Sequence, residues 1–166
     1  MLLDIPRTRP LTPQPESFAA LMEHYEANYI RLRLLCPDLH RIEGEAVSRV
    51  SGCLDLHLRV LETSRFTSTL LLTYYLPDDE GGRRADPNVV VRMYHDAHQA
   101  EVLSRACRVR DRVRDARGSA RQTGMDSALL CKWRVNRFLY KWLGYCRLQG
   151  HCFGLANPER RAFGVG

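Results

Sequence analysis

Two runs of alternating hydrophobicity stand almost back to back in the middle of the chain, and they limit the fold more than any other feature. In the first, Leu54, Leu56, Leu58 and Val60 alternate with Asp55, His57 and Arg59; in the second, Phe66–Leu76, the apolar series runs through Leu70, Leu72, Tyr74 and Leu76. A period of two belongs to extended backbone, whose successive side chains point to opposite faces. Only the few residues around Thr63–Ser64 separate the runs. A parallel return needs a crossover of a dozen residues or more, so the pair is an antiparallel hairpin. Its leucines face a core, and its threonine-rich side faces water.

The flanks carry a different period. Phe18, Leu21, Met22, Tyr25, Tyr29, Leu32 and Leu35 recur at steps of three and four behind Ser17, a good N-cap, and ahead of Pro37, which stops a helix. A second amphipathic helix opens at Asp126 or Ser127 and carries Val135, Phe138, Leu139, Trp142, Leu143 and Cys146, with Gly150 placed to end it. Trp142 lies on its apolar stripe, whereas Trp133 falls off the centre and is expected to be the more exposed. Val89–Tyr94 is a third strand by its β-branched content. The polar stretch Pro77–Asn88 before it is expected to be a flexible connection. Residues 97–116 fit helix and strand alike; a strand to about Arg110 followed by a loop is the favoured reading. The expected fold is α+β: an N-terminal amphipathic helix, an antiparallel meander of four to five strands, and a C-terminal helix packed on one sheet face.

A length of 166 residues suits one domain, expected over residues 16–152. Residues 1–15 hold four of the eight prolines and are expected to be a disordered arm; residues 153–166 are expected to be a loosely ordered tail. MLLDIPRTRP has no apolar run suited to a signal peptide, and no stretch reaches the ~20 apolar residues that cross a bilayer. No membrane association is therefore expected. The six cysteines, at 36, 53, 107, 131, 146 and 152, form no C-x-x-C pair and are expected to be reduced thiols of a cytoplasmic protein.

The chain contains no G-x-S-x-G, H-E-x-x-H, G-x-x-x-x-G-K-[ST] or G-x-G-x-x-G sequence. Dinucleotide-dependent chemistry is excluded further by the missing alternation of strands and helices. Three polar groupings remain. His95, His98 and Glu101 would share a helix face and offer metal ligands, but the strand before them separates His95 from Asp96, so neither metal nor other cofactor is expected. Glu62, Arg65, Arg92, Tyr94 and Asp96 come from neighbouring strand ends, with Glu101 close in sequence, and alternation puts Arg92, Tyr94 and Asp96 on one face. Such a set would hold an anionic or protein ligand, or would form a salt-bridged solvated face. Finally, the net charge of +6 is concentrated between Arg105 and Arg121, where seven arginines face two aspartates. Arg108, Arg110, Arg112 and Arg114, with Arg137 and Lys141 on the last helix, would track a phosphate backbone, although no aromatic residues are interleaved as stacking platforms.

Four blocks of the sequence resemble the YqiB-like family of uncharacterised bacterial proteins, a domain of unknown function. They are Asn28-Tyr29 with Arg31-Leu32, Leu35 and Pro37; Glu62 with Arg65-Phe66-Thr67; Val91-Arg92, Tyr94-His95-Asp96-Ala97 and Ala100-Glu101-Val102; and Lys132, Asn136, Phe138-Leu139, Trp142-Leu143, Tyr145-Cys146 and Gly150. His98 lies outside this pattern, and Cys131 and Arg134 stand where the family has an acid and a glutamine. The resemblance implies a cytosolic protein without an established activity.

The leading expectation is a non-enzymatic binding or adaptor domain, monomeric or homodimeric. Its polar sheet face (Glu62, Arg65, Arg92, Tyr94, Asp96, Glu101) would recognise a protein or a small anionic ligand. The alternative is a nucleic-acid-associated protein using residues 105–121. The third is a nucleotide or phosphoester hydrolase with His95 and Asp96 as acid and base.

Overall fold

The computed structural model describes residues 13–104, Cys107 and residues 127–154. The elements follow in the order α1 (Phe18–Leu35), a 3₁₀ turn (Leu39–Arg41), β1 (Glu45–Ser48), β2 (Leu56–Thr63), β3 (Thr67–Pro77), β4 (Arg83–Tyr94), β5 (Gln99–Val102) and α2 (Ser127–Leu148). The strands form one antiparallel sheet in the order β1-β2-β3-β4-β5, the meander that the alternating runs require. The α+β expectation holds, with five strands. Among the described residues no helix is long and apolar enough to cross a membrane.

One sheet face carries the core. Leu56, Leu58, Leu70, Leu72, Val91, Met93 and Ala100 point toward Tyr29, Leu32 and Leu35 of α1 and Leu139, Trp142 and Leu143 of α2. Ser17 caps α1 by accepting from the Ala20 N–H at 3.1 Å. Gly150, at φ 99°, ends α2: its N–H reaches the Arg147 carbonyl while that of His151 reaches Cys146, a Schellman closure that needs a residue able to adopt a left-handed conformation.

The helices are held to each other by polar groups. The Asn28 amide donates to the Asn136 carbonyl at 3.0 Å. Asn136 Oδ1 accepts from the Val102 N–H at 2.9 Å, and its amide donates to the Lys132 carbonyl. Arg31 crosses from α1, lies 3.6 Å over the Tyr140 ring and donates to the Tyr140 carbonyl. A Cβ at Gly144 would collide with that guanidinium, so the glycine makes the crossing feasible.

Several expectations are corrected. The expected flexible connection is instead a hydrogen-bonded turn over residues 78–82, because β4 begins at Arg83 and pairs through Pro77↔Arg83. Pro87 sits where the β3–β4 register shifts, and a proline can lie within a strand at such an irregularity. The strand expected to reach Arg110 ends at Val102, and Cys107 is helical. Trp133 is buried at 6% exposure beside Ala20, Leu21 and Tyr25. Phe153, assigned to the tail, is 3% exposed and donates from its backbone to Leu35 at 2.7 Å. Phe18 and Phe138, counted on apolar stripes, are exposed, as is Leu54. The cysteines are not all thiols: Cys107 and Cys131 form a disulfide that ties the chain beyond β5 to α2. The remainder of the proline-rich arm and of the tail lies outside the described residues.

Two outcomes follow from these ties. Asn136→Ala leaves the half-buried Val102 N–H without its acceptor and is expected to cost about 2 kcal/mol; a change in chemical denaturation below about 0.5 kcal/mol would contradict the role given to Asn136. Reducing the disulfide, which spans 24 residues, is expected to remove about 3 kcal/mol on a loop-closure basis. A Cys131→Ala protein should then unfold at a temperature insensitive to reductant.

Candidate functional site

No described helix packs across the second sheet face, although Tyr25 of α1 reaches its β5 edge. The register fixes which side chains share it: Glu62 pairs with Thr69, Thr69 with Arg92, and Arg92 with Glu101, while Tyr94 pairs with Gln99. A bulge between Val60 and Glu62 turns Glu62 onto this face, because the extra residue, Leu61, resets the alternation. Arg92 Nε donates to Thr69 Oγ1 at 3.2 Å, and Arg92 Nη2 lies 3.8 Å from Glu62 Oε2. The Tyr94 hydroxyl donates to Glu101 Oε1 at 2.6 Å. Of the expected set, Glu62, Arg92, Tyr94 and Glu101 therefore form one continuous row.

Sequence reasoning missed one member. Tyr25 was counted on the buried stripe of α1, but its phenol lies against the same row. Burial, followed by the charges of Glu101 and Tyr94, pushes its pKa up to about 12. Burial and the bond to Glu101 also raise the Tyr94 phenol. Both phenols therefore keep their protons at neutral pH, and Tyr94 donates to Glu101. No signal in sequence distinguished Tyr25, since its spacing is that of a core position.

Arg65 and Asp96 do not join the row. Asp96 is exposed in the β4–β5 turn, one step past the strand end, so alternation no longer places it. Arg65 is in the β2–β3 turn, its guanidinium 5.0 Å over the Phe66 ring.

His95 turns the other way, toward α1. Its Nδ1 meets the Tyr29 hydroxyl at 3.1 Å and its Nε2 meets Ser68 Oγ at 2.8 Å. A neutral imidazole has one donor and one acceptor, and two hydroxyls satisfy both. Burial, then the neighbouring Arg33, lowers its pKa, which favours that neutral form. Neither nitrogen is bonded to Asp96, so the acid–base pair expected of these two residues is not assembled. Among the described residues, no cluster of three or more histidine, cysteine or acidic side chains is placed to hold a metal. Of the arginine run, Arg108, Arg110, Arg112 and Arg114 lie outside the described residues. On α2, Lys141 is exposed, while Arg137 stacks 5.1 Å from the Trp133 ring.

These positions coincide with the four blocks of sequence noted above, and comparison with known proteins agrees. Residues 31–152 match the family described as "Protein of unknown function (DUF1249)", and the chain belongs to it. Among curated proteins it is similar to "Uncharacterized protein YqiB" of Escherichia coli strain K12, with 30% identity over 133 residues, covering 80% of this chain and 90% of that protein. The proteins of the same name in Escherichia coli O6:H1 and O157:H7 match with the same identity and coverage. No solved structure matches.

Four histidines, His24, His57, His95 and His151, are held below the ordinary value of 6.5, burial being the largest cause in each. His151 is buried with Nδ1 on Ser48 Oγ. A pKa depressed by folding means that stability is full above the unfolded value and is lost as pH falls through the folded one. Stability is thus expected to decline from about pH 6.5 downward, measured by denaturation at stepped pH. His151→Gln should flatten that decline, and an unaltered slope would remove His151 from the account.

Proposed function

We propose that the chain is a cytoplasmic binding domain that recognises a protein partner through the second sheet face, centred on Arg92. The observation supporting this reading is the row itself. Its charged and phenolic side chains are held in position by one another and by Thr69 before any partner arrives, which reduces the entropy lost on binding. A solvated ion pair such as Arg92–Glu62 contributes little to stability, so the row is poorly explained as a fold-stabilising device.

Charge supports a protein partner over a small anion. Arg92 already faces Glu62 and is paired across strands with Glu101. A small anion approaching this face meets two carboxylates for one guanidinium. A folded protein surface offers both signs and hydroxyl partners, which suits a mixed row. Nothing in the described geometry favours nucleic acid over it.

The test is affinity capture from bacterial lysate with wild type, Arg92→Ala, and Lys132→Ala as an exposed control on α2. A partner kept by the control and lost by Arg92→Ala is expected. In a binding assay with that partner the loss should be about thirtyfold, the effect of truncating a central charged anchor. An identical partner list for all three proteins would refute the reading.

A further inference from the structure

We propose that the chain carries a second, separate binding site for a small phosphate monoester, in the cavity beside His95 on the helix-covered side of the hairpin. The cavity is an open cleft of about 290 Å³ between the C-terminal end of α1, the 3₁₀ turn and the β2–β3 turn, with Arg33 and Arg65 exposed at its mouth. Ligand pockets begin at roughly 300 Å³, so the space suits a compact ligand.

Its wall carries one sign of charge. Arg33 from α1 and Arg65 from the β2–β3 turn both line it, with His40 and His95, and no lining residue is a carboxylate. Among the described residues neither arginine has an acidic group within 4.0 Å, unlike Arg49, Arg59, Arg84 and Arg92, each of which is paired. A different cavity near β1 shows the contrast: it is lined by Asp38, Glu43 and Glu45 alongside Arg41.

The donor chemistry fits phosphate better than carboxylate. Two guanidiniums balance a dianion, and their fork geometry matches phosphoryl oxygens. Thr63, Ser64 and Ser68 line the same space; the Ser64 hydroxyl also meets Thr67 Oγ1 and that of Ser68 meets His95 Nε2. Leu39 and Ile42 form an apolar wall that a bare ion would leave unused and the organic part of an ester would cover.

The walls are also fixed in advance. Ser64 N–H donates to the Thr67 carbonyl at 2.8 Å, closing the turn that carries Arg65, and His95 N–H donates to the Phe66 carbonyl at 2.8 Å. The His95 ring is held between Tyr29 and Ser68. Four segments, the end of α1, the 3₁₀ turn, the β2–β3 turn and the start of the β4–β5 turn, thus converge on one cationic cavity.

The experiment is an NMR titration of the full chain with inorganic phosphate and with phenyl phosphate, following the His95 ring and the amides of residues 63–68. Both probes should move these signals, and phenyl phosphate should bind the tighter. Arg33→Gln and Arg65→Gln, each checked for unchanged melting temperature, should each weaken phenyl phosphate at least about tenfold. Arg92→Ala should leave it unchanged, which separates this site from the sheet face. The proposal is overturned if neither probe perturbs the cavity signals up to about 10 mM. It is also overturned if phenyl phosphate binds no better than inorganic phosphate, or if the folded arginine variants bind as wild type does.

Discussion

The three-way joint at Asn136 is the interaction on which the arrangement depends. Its side chain accepts from the backbone of β5, its carbonyl accepts from Asn28 of α1, and it sits on α2. An edge strand of four residues has little pairing of its own to keep it in place. Burying a side-chain amide is favourable only when its hydrogen bonds are made, so the joint fixes distance and orientation more strictly than apolar packing does. With β5 and both helices tied on one side, no described helix packs across the other face of the meander. Glu101 also stays in register with Arg92 because β5 cannot slip.

The elements were legible where periodicity was clean. The alternating leucines of β2 and β3 and the helical stripes on either flank specify where the core lies, because a period mismatch would expose half of those side chains. Legibility failed where polar residues were placed in regular structure. Arg83-Arg84 and Asp86-Pro87 look like loop, but this stretch of β4 pairs with β3 alone among the described strands and has few apolar contacts to announce it. The alternating arginines at 108, 110, 112 and 114 read as a strand in sequence but lie outside the described residues, and β5 itself ends at Val102. Cys107 and Cys131 could not be matched from sequence, because spacing does not determine which thiols meet.

The candidate site was half legible for a related reason. Arg92 and Tyr94 share a face by alternation, and cross-strand neighbours follow once the hairpin is drawn. A turn breaks that rule, and so Asp96 and Arg65 were misplaced. The block Tyr94-His95-Asp96 proves to serve three different surroundings in three consecutive residues: the open face, the helix side and solvent. A compact motif in sequence need not be one site.

The two surfaces also differ in what a ligand must displace. Any group that engages Arg92 competes with Glu62, whose carboxylate is mostly in water and can rotate away, so exchange there is inexpensive and partner choice rests on matching several groups at once. Arg33 and Arg65 have no carboxylate to release among the described residues, so an anion entering their cavity meets both charges directly. Both side chains are exposed, so water screens that attraction until a bound ligand displaces it. On the two readings proposed, the sides of the hairpin thus ask different things of a ligand: several matched polar groups on one, a single compact charge on the other.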